Sequence, residues 1–410
     1  MNILYLSQYF PPEIGATQAR AYEMAKNLVA MGHRVTMLTE MPNHPSGIIP
    51  SAYRSRFRLM EEMEGIHVVR SWVYATPIKS FKRRMVFYLS FMLTAVLNSL
   101  FLKEKAYDLV YATSPPLFVG VAGVLIARSR RIPFVFEVRD LWPESAVELG
   151  ELRSQKYIRW GHDAADFCYR RARAIVSVTE GIQEMLLAKP IQPNKVFLVK
   201  NGTNPEKFRY VLDSRLEERL GWRGKFVALY AGNHGVAQGL ETIVDAAAYL
   251  TDHPAIHFAF IGEGPRKKQI IAYAERKGLE NVQFLSEVPS EEISEYISLA
   301  GLCIVPLKKN RLFEGALPSK IFDSWSCGKA VVLSVDGEAR REMETAGGGI
   351  YVEPENPTAL ADAVVRVFKN PALAEEMGEK GRRHLYQKGY IRSIQAEKLS
   401  RIFEKLMKEG

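Results

Sequence analysis

The chain has 410 residues, more than one hydrophobic core organises, so two domains are expected and a single small module is excluded. Hydrophobic residues at 47%, charged residues at 25% and aromatic residues at 10% describe an ordinary globular chain and exclude a disordered or collagen-like one. The net charge is +9, and the three cysteines (Cys168, Cys303, Cys327) lie far apart without a CxxC pair, which argues against a disulfide framework or a thiolate zinc site and for a reducing cytosol.

The N-terminal stretch NILYLSQ (2–8) lacks a basic leader and runs into Pro-Pro, so it reads as a buried strand and not a signal peptide. A helix over 17–31 follows, closed by Gly32, and Gly15 stands just before it. A glycine there lets backbone N–H groups meet an anion at the positive end of the helix dipole; a plain turn is the alternative. Strands follow at 33–40 and 66–73. Residues 52–105 carry ten basic groups against four acids, and they surround an apolar run at 85–102 that holds no charge. As a helix this run would be about 27 Å long. Spanning a bilayer is rejected, because it would place parts of one sheet on opposite sides of the membrane. Ser90, Thr94 and Asn98 recur every four positions and form a stripe that can face the protein, leaving Phe87, Leu93, Val96, Leu97, Leu100 and Phe101 to pack elsewhere. Two readings stand: a helix lying on an anionic membrane surface with Lys79, Lys82, Arg83 and Arg84 on headgroups, or a core helix behind a solvated basic loop. Basic and aromatic groups are not interleaved as a nucleic-acid surface would require, so no nucleic-acid partner is expected.

Further strands are expected at 107–114, 132–138, 174–179 and 195–201. Just past the second of these, Arg139, Asp140 and Glu144 fall where parallel sheets carry ligands. The alternative is that Asp140 caps a helix with Arg139 as its partner. Continuous apolar strands alternating with helices imply a parallel sheet covered on both faces.

At 201–208 the pattern gives way to Gly, Asn and Pro, as at a domain boundary, and then restarts with strands at 225–232, 256–264, 281–288, 302–307, 329–335 and 349–354. The fold class is therefore α/β, two Rossmann-like doubly wound domains facing a cleft. The turn after the first of these strands holds Gly232, Asn233, Gly235 and Gln238 without an acidic residue, so it is free to take a phosphate. It has neither GK[ST] nor GxGxxG. Gly264 and Arg266 form a second anion-friendly turn. In the stretch 313–332, Pro318 and Ser319 start a helix, Lys320 sits in its first turn, Asp323 lies one turn on, and Gly328 closes it. A first-turn lysine opposes the helix dipole, so an anion explains it better than helix stability does; a solvated lysine is the alternative. Asp323 could take a ribose diol through two hydrogen bonds, or be an exposed helix carboxylate. The helices over 371–409 carry no motif.

The motifs YFPPEIGAT, TEMPNHPSG, RDLWPES, VKNGTNPEKF, YAGNHGVAQGLETIVDAA, FIGEGP and LPSKIFDSWSCGKAVV, in that order, resemble those of GT-B fold retaining glycosyltransferases of family 4, in the bacterial branch that builds O-antigen, capsule or exopolysaccharide. The resemblance implies an acceptor-binding domain over 1–203 with a membrane-facing helix at about 80–104, a nucleotide-sugar domain over 204–385, and a helix over 386–410 packing back across the junction. It implies transfer of a hexosyl or N-acetylhexosaminyl group from a nucleoside diphosphate sugar, UDP-linked, to a saccharide on a polyisoprenyl diphosphate, by a protein held peripherally at the inner face of the cell membrane. Neither a cofactor nor a metal is implied, and no DxD stands at a suitable strand end. Gly15 matches the family's loop glycine beside the diphosphate, and Asp323 matches the second glutamate of its E-x7-E signature. The first glutamate falls on Gly315, with Glu314 one residue early. The family's Arg and Lys fall on Asn233 and Gln238, which leaves Lys320 and Arg266 to supply the charge, and its acceptor-side histidine is replaced by Arg139 and Asp140. Rival functions on the same architecture are a sugar-nucleotide epimerase and a catalytically silent membrane-associated binding protein.

Overall fold

The computed structural model describes residues 1–409 apart from 79, 103 and 105, so Lys79, Lys103 and Lys105 of the basic stretch lie outside the described residues. The chain divides into two compact units, Met1–Lys200 with Arg392–Gly410, and Asn201–Ile391.

The first unit is built on strands β1 (Asn2–Leu6), β2 (Arg34–Glu40), β3 (Arg58–Met63), β4 (Ile66–Ser71), β5 (Leu109–Ser114), β6 (Phe134–Val138), β7 (Ala174–Ser177) and β8 (Val196–Leu198), in sheet order β3-β4-β2-β1-β5-β6-β7-β8. The helices are α1 (Ala16–Ala30), α2 (Phe81–Ser99), α3 (Leu117–Arg130), α4 (Glu144–Glu148), α5 (Gln155–Arg171) and α6 (Glu180–Leu187), joined by the last helix of the chain, Arg392–Lys408. All pairings are parallel except β3 with β4. The alternation of β1 shows why the sheet is covered twice: Leu4 and Leu6 join the core under α2, α3 and α5, whereas Ile3 and Tyr5 join the core under α1 and the C-terminal helix.

β3 was not expected from the sequence. It pairs with β4 through a two-residue turn, Glu64 at φ 47° and Gly65 at φ 78°, and two positive φ values match the twist of a tight hairpin. α2 begins at Phe81, ahead of the uncharged run at 85–102, because Ser80 accepts a hydrogen bond from Arg83 N and caps it. Its polar stripe is turned onto the strand-end segment: Thr94 Oγ1 donates to Trp72 O at 2.7 Å, Asn98 Nδ2 to Ser71 Oγ at 2.9 Å, and Tyr74 N to Ser90 Oγ at 2.9 Å. Phe87 and Val96 pack against the core. Leu93, Leu97, Leu100 and Phe101 are exposed, Phe101 to 65%. No helix among the described residues is long and apolar enough to cross a membrane.

The second unit has six parallel strands, β9 (Phe226–Ala231), β10 (Ile256–Ile261), β11 (Val282–Leu285), β12 (Leu302–Pro306), β13 (Val331–Ser334) and β14 (Gly349–Tyr351), in order β11-β10-β9-β12-β13-β14. Its helices are α7 (Ser214–Leu220), α8 (Glu241–Ala248), α9 (Lys267–Arg276), α10 (Ile293–Leu299), α11 (Ser319–Ser326), α12 (Glu338–Ala346), α13 (Pro357–Phe368) and α14 (Pro371–Gln387); the C-terminal helix of the first unit is therefore α15. In each sheet the strand order reverses beside a central strand, at β1/β5 and at β9/β12. The loops leaving β1 and β9 stand at these switch points, where open α/β sheets bind ligands. All three cysteines are buried and free.

Candidate functional site

The densest arrangement lies in the second unit, where β9 runs into Gly232. That residue adopts φ 144°, and a Cβ on it would stand 2.1 Å from Lys320 Nζ, so only glycine leaves room for the ammonium. Lys320 enters from the first turn of α11. Its Nζ donates to Tyr230 Oη at 3.0 Å and lies 4.2 Å from the centre of the tyrosine ring. It makes no ion pair with any carboxylate among the described residues. Burial pulls its pKa down to about 7, against a weaker opposing pull from Asp323. Tyr230 in turn donates to Asn233 O at 2.6 Å and fixes the loop.

A second glycine loop presses on the first. A Cβ on Gly262 would lie 2.1 Å from Gly232 O, and one on Gly264 would lie 2.6 Å from both Asn233 Oδ1 and His234 O. Gly235 is equally confined, with Gln238 Oε1 2.6 Å and Asn233 Nδ2 2.8 Å from its would-be Cβ. Gln238 Oε1 is buried without a hydrogen-bond partner among the described residues. The structure thus gathers Gly232, Asn233, Gly235, Gln238, Gly264 and Lys320 in one place. His234 belongs with them and was missed: it is fully buried, neither ring nitrogen has a partner among the described residues, and burial beside Lys267 and Lys320 holds its pKa down near 4. The signal for it was an imidazole inside the glycine-rich turn NHG.

Other expected residues are placed differently. The Arg266 guanidinium is taken by Glu241, the first residue of α8, so it is not an unpaired cation of this turn. Glu314 is exposed in a 3-10 turn over Arg311–Gly315, with its carbonyl packed on Gly337. Ser319 is the first residue of α11, and Gly328 follows the helix at φ 69°. Asp323 accepts from Thr203 Oγ1 at 2.7 Å, which ties α11 to the segment entering this unit.

In the first unit, Gly15 is the residue before α1, and a Cβ on it would stand 2.6 Å from Gln18 Oε1. Arg139, just beyond β6, donates to Ala16 O at 3.2 Å and Thr17 O at 3.5 Å. A guanidinium beside a helix N-terminus opposes the dipole, as Lys320 does in the other unit. Burial lowers the Arg139 pKa to about 10. Asp140 accepts from Ser145 Oγ at 2.8 Å, and burial, with the charge of Glu144 as a lesser cause, raises its pKa to about 6. Neither half of the capping alternative holds: the residue before α4 is Pro143, and Arg139 bonds α1 instead of Asp140. Glu144 is held by Lys189 at 2.7 Å. Beneath this strand end, Glu137 is fully buried, paired with Arg20 at 2.6 Å and bonded by Tyr111 and Thr113.

Residues 15–202 match the family model described as the Glycosyl transferase 4-like domain, and residues 214–384 match Glycosyl transferases group 1. The chain belongs to the glycosyltransferases built from these two domains, and its fold is GT-B. It is similar to an Escherichia coli (strain K12) protein named for colanic acid biosynthesis, the glycosyl transferase WcaI, with 25% identity over 93% of this chain and 96% of that one. Pseudomonas aeruginosa WbjE, named as a glycosyltransferase, is 23% identical over 75% and 77% of the two chains. Among solved structures, sucrose-phosphate synthase from Thermosynechococcus elongatus superposes with a TM-score of 0.79 over 100% of both chains at 19% identity. Anabaena HepE, solved with UDP-glucose, superposes with a TM-score of 0.75 over 99% and 100% at 16% identity.

Proposed function

We propose that this glycosyltransferase moves a sugar, with retention at the anomeric carbon, from a UDP-linked donor to a saccharide on a polyisoprenyl diphosphate during synthesis of a bacterial surface polysaccharide. The observation that carries the reading is Lys320: a half-buried ammonium without an acidic ion-pair partner among the described residues, set against two glycine-lined strand ends. Negative charge grows on the leaving diphosphate, and the Lys320 cation beside the backbone N–H of Gly235 lowers the barrier to that growth. Gly15 and Arg139 form the corresponding anion-favouring end of α1, and Asp140 orients the acceptor hydroxyl or the transferred sugar. Asp323 takes the ribose in exchange for its bond to Thr203. The UDP donor is supported by the ligand of the fold neighbour HepE, and the polysaccharide role by the name of WcaI.

The first unit would meet the inner face of the membrane through α2, whose outward residues Leu93, Leu97 and Leu100 are exposed beside the exposed Lys82 and Arg83. Arg84 is left out of this contact, because Glu151 holds it at 2.6 Å.

Calorimetric titration with UDP tests the donor site. Lys320→Ala should weaken binding by about 1.5 to 3 kcal/mol, the worth of a hydrogen bond to a charged group. Affinity unchanged within about twofold would remove Lys320 from the site.

A further inference from the structure

The N-terminal half of α5 presents an exposed surface to which the proposed reaction assigns no role. Tyr157 is 48% exposed and Trp160 44% exposed, and Lys156 and Arg159 flank them without an ion pair among the described residues. Lys156, Arg159 and Trp160, with Gln155 and Asp163, line an open hollow of about 320 Å³. Burial explains the other side of the helix: Gly161 lets α5 close on Trp142, whose ring would lie 2.7 Å from a Cβ there, while Ala165, Cys168 and Tyr169 enter the core.

This surface is continuous with α2. The rings of Phe81 and Tyr157 are 5.9 Å apart, and beneath the surface Tyr88 of α2 reaches Trp160 through the buried Phe118, at 6.3 and 5.5 Å. Glu151, just before α5, holds Arg84 of α2. The two helices therefore meet at their N-terminal ends, with exposed apolar side chains on α2, amphipathic aromatics on α5 and cations on both. Tyr and Trp with one wet edge sit at headgroup depth, and lysine and arginine meet lipid phosphates there.

We propose that the first two turns of α5 are a second membrane contact, in which Tyr157 and Trp160 enter the headgroup layer and Lys156 and Arg159 bind anionic lipid phosphates. The proposal rests on the membrane reading of α2 and adds the element that fixes rotation of this unit about the α2 axis. A single helix lying in the interface leaves that rotation open, whereas two contacts side by side close it.

The test uses the full chain and vesicles of phosphatidylglycerol in phosphatidylcholine, with part of the lipid brominated. Lys156→Gln with Arg159→Gln should weaken flotation about thirtyfold, from about 1 kcal/mol per cation. Brominated lipid should quench a component of the tryptophan emission that is absent in Trp160→Phe. Circular dichroism and activity on a short soluble acceptor should be unchanged in all variants, which separates lost docking from lost folding. If wild type floats on anionic vesicles while the α5 variants float equally and Trp160→Phe is quenched to the same extent, α5 is not a contact and the α2 reading survives. If wild type does not float on anionic vesicles, both readings fall.

Discussion

Lys320 is the central residue of the proposed donor site, and its ionisation would give that site a pH signature. In the free protein burial holds its pKa near 7. A bound diphosphate favours the charged form and raises that pKa, so binding above pH 7 must take up a proton. UDP affinity should therefore fall as pH rises above about 7. Calorimetry at about pH 8, in buffers of different ionisation enthalpy, should show proton uptake in wild type that Lys320→Ala lacks. Equal uptake in both would assign the proton elsewhere. Asp140 titrates on the opposite side of neutrality: raised to about 6, it is ionised at pH 7 and protonated below. If the carboxylate orients the reacting hydroxyl or sugar, kcat falls as pH drops through about 6, and Asp140→Asn loses most turnover while UDP affinity stays within about twofold. Full activity in Asp140→Asn would make the Ser145 bond its only role.

At the scale of elements, the strand end that carries Arg139 and Asp140 is underpinned by the buried Arg20–Glu137 pair, which ties α1 to β6 while Arg20 also donates to Val199 O and Lys200 O. Removing one partner leaves an uncompensated buried charge, so Arg20→Ala should cost about 3 to 5 kcal/mol in urea unfolding. An unchanged midpoint would show that Tyr111 and Thr113 satisfy Glu137 alone. The parallel strands were legible in the sequence because each is a short, continuous apolar run, and the glycine loops were legible because they interrupt those runs. β3 was not, since MEEM is too polar to read as a strand; only the Glu64-Gly65 turn betrays it. Within the site, Lys320 could be read from its unfavourable place in a first turn. The pairing of Arg266 with Glu241 could not, because the partners are 25 residues apart and meet only once β9 and β10 lie side by side. His234 was hidden because sequence does not show how deeply a loop side chain is buried.

For the whole molecule, the excess charge near α2 matters only where it is unpaired. Replacing Lys82 and Arg83 with Gln should weaken flotation on anionic vesicles by about 1 kcal/mol each, with no change on neutral ones. Equal flotation of the variant would leave attachment to the apolar face alone. The proposed transfer to a lipid-borne acceptor requires both the proposed membrane contact and the proposed donor site, and one measurement examines their joint outcome. The purified protein is incubated with a panel of UDP-sugars and a polyisoprenyl diphosphate-linked saccharide, and the lipid product is weighed by mass spectrometry. One UDP-sugar should add a single residue, with UDP released only when acceptor is present, and Lys320→Ala should suppress the product. Release of UDP without acceptor, interconversion of the donor sugar, or no product from any UDP-sugar would contradict the proposed reaction.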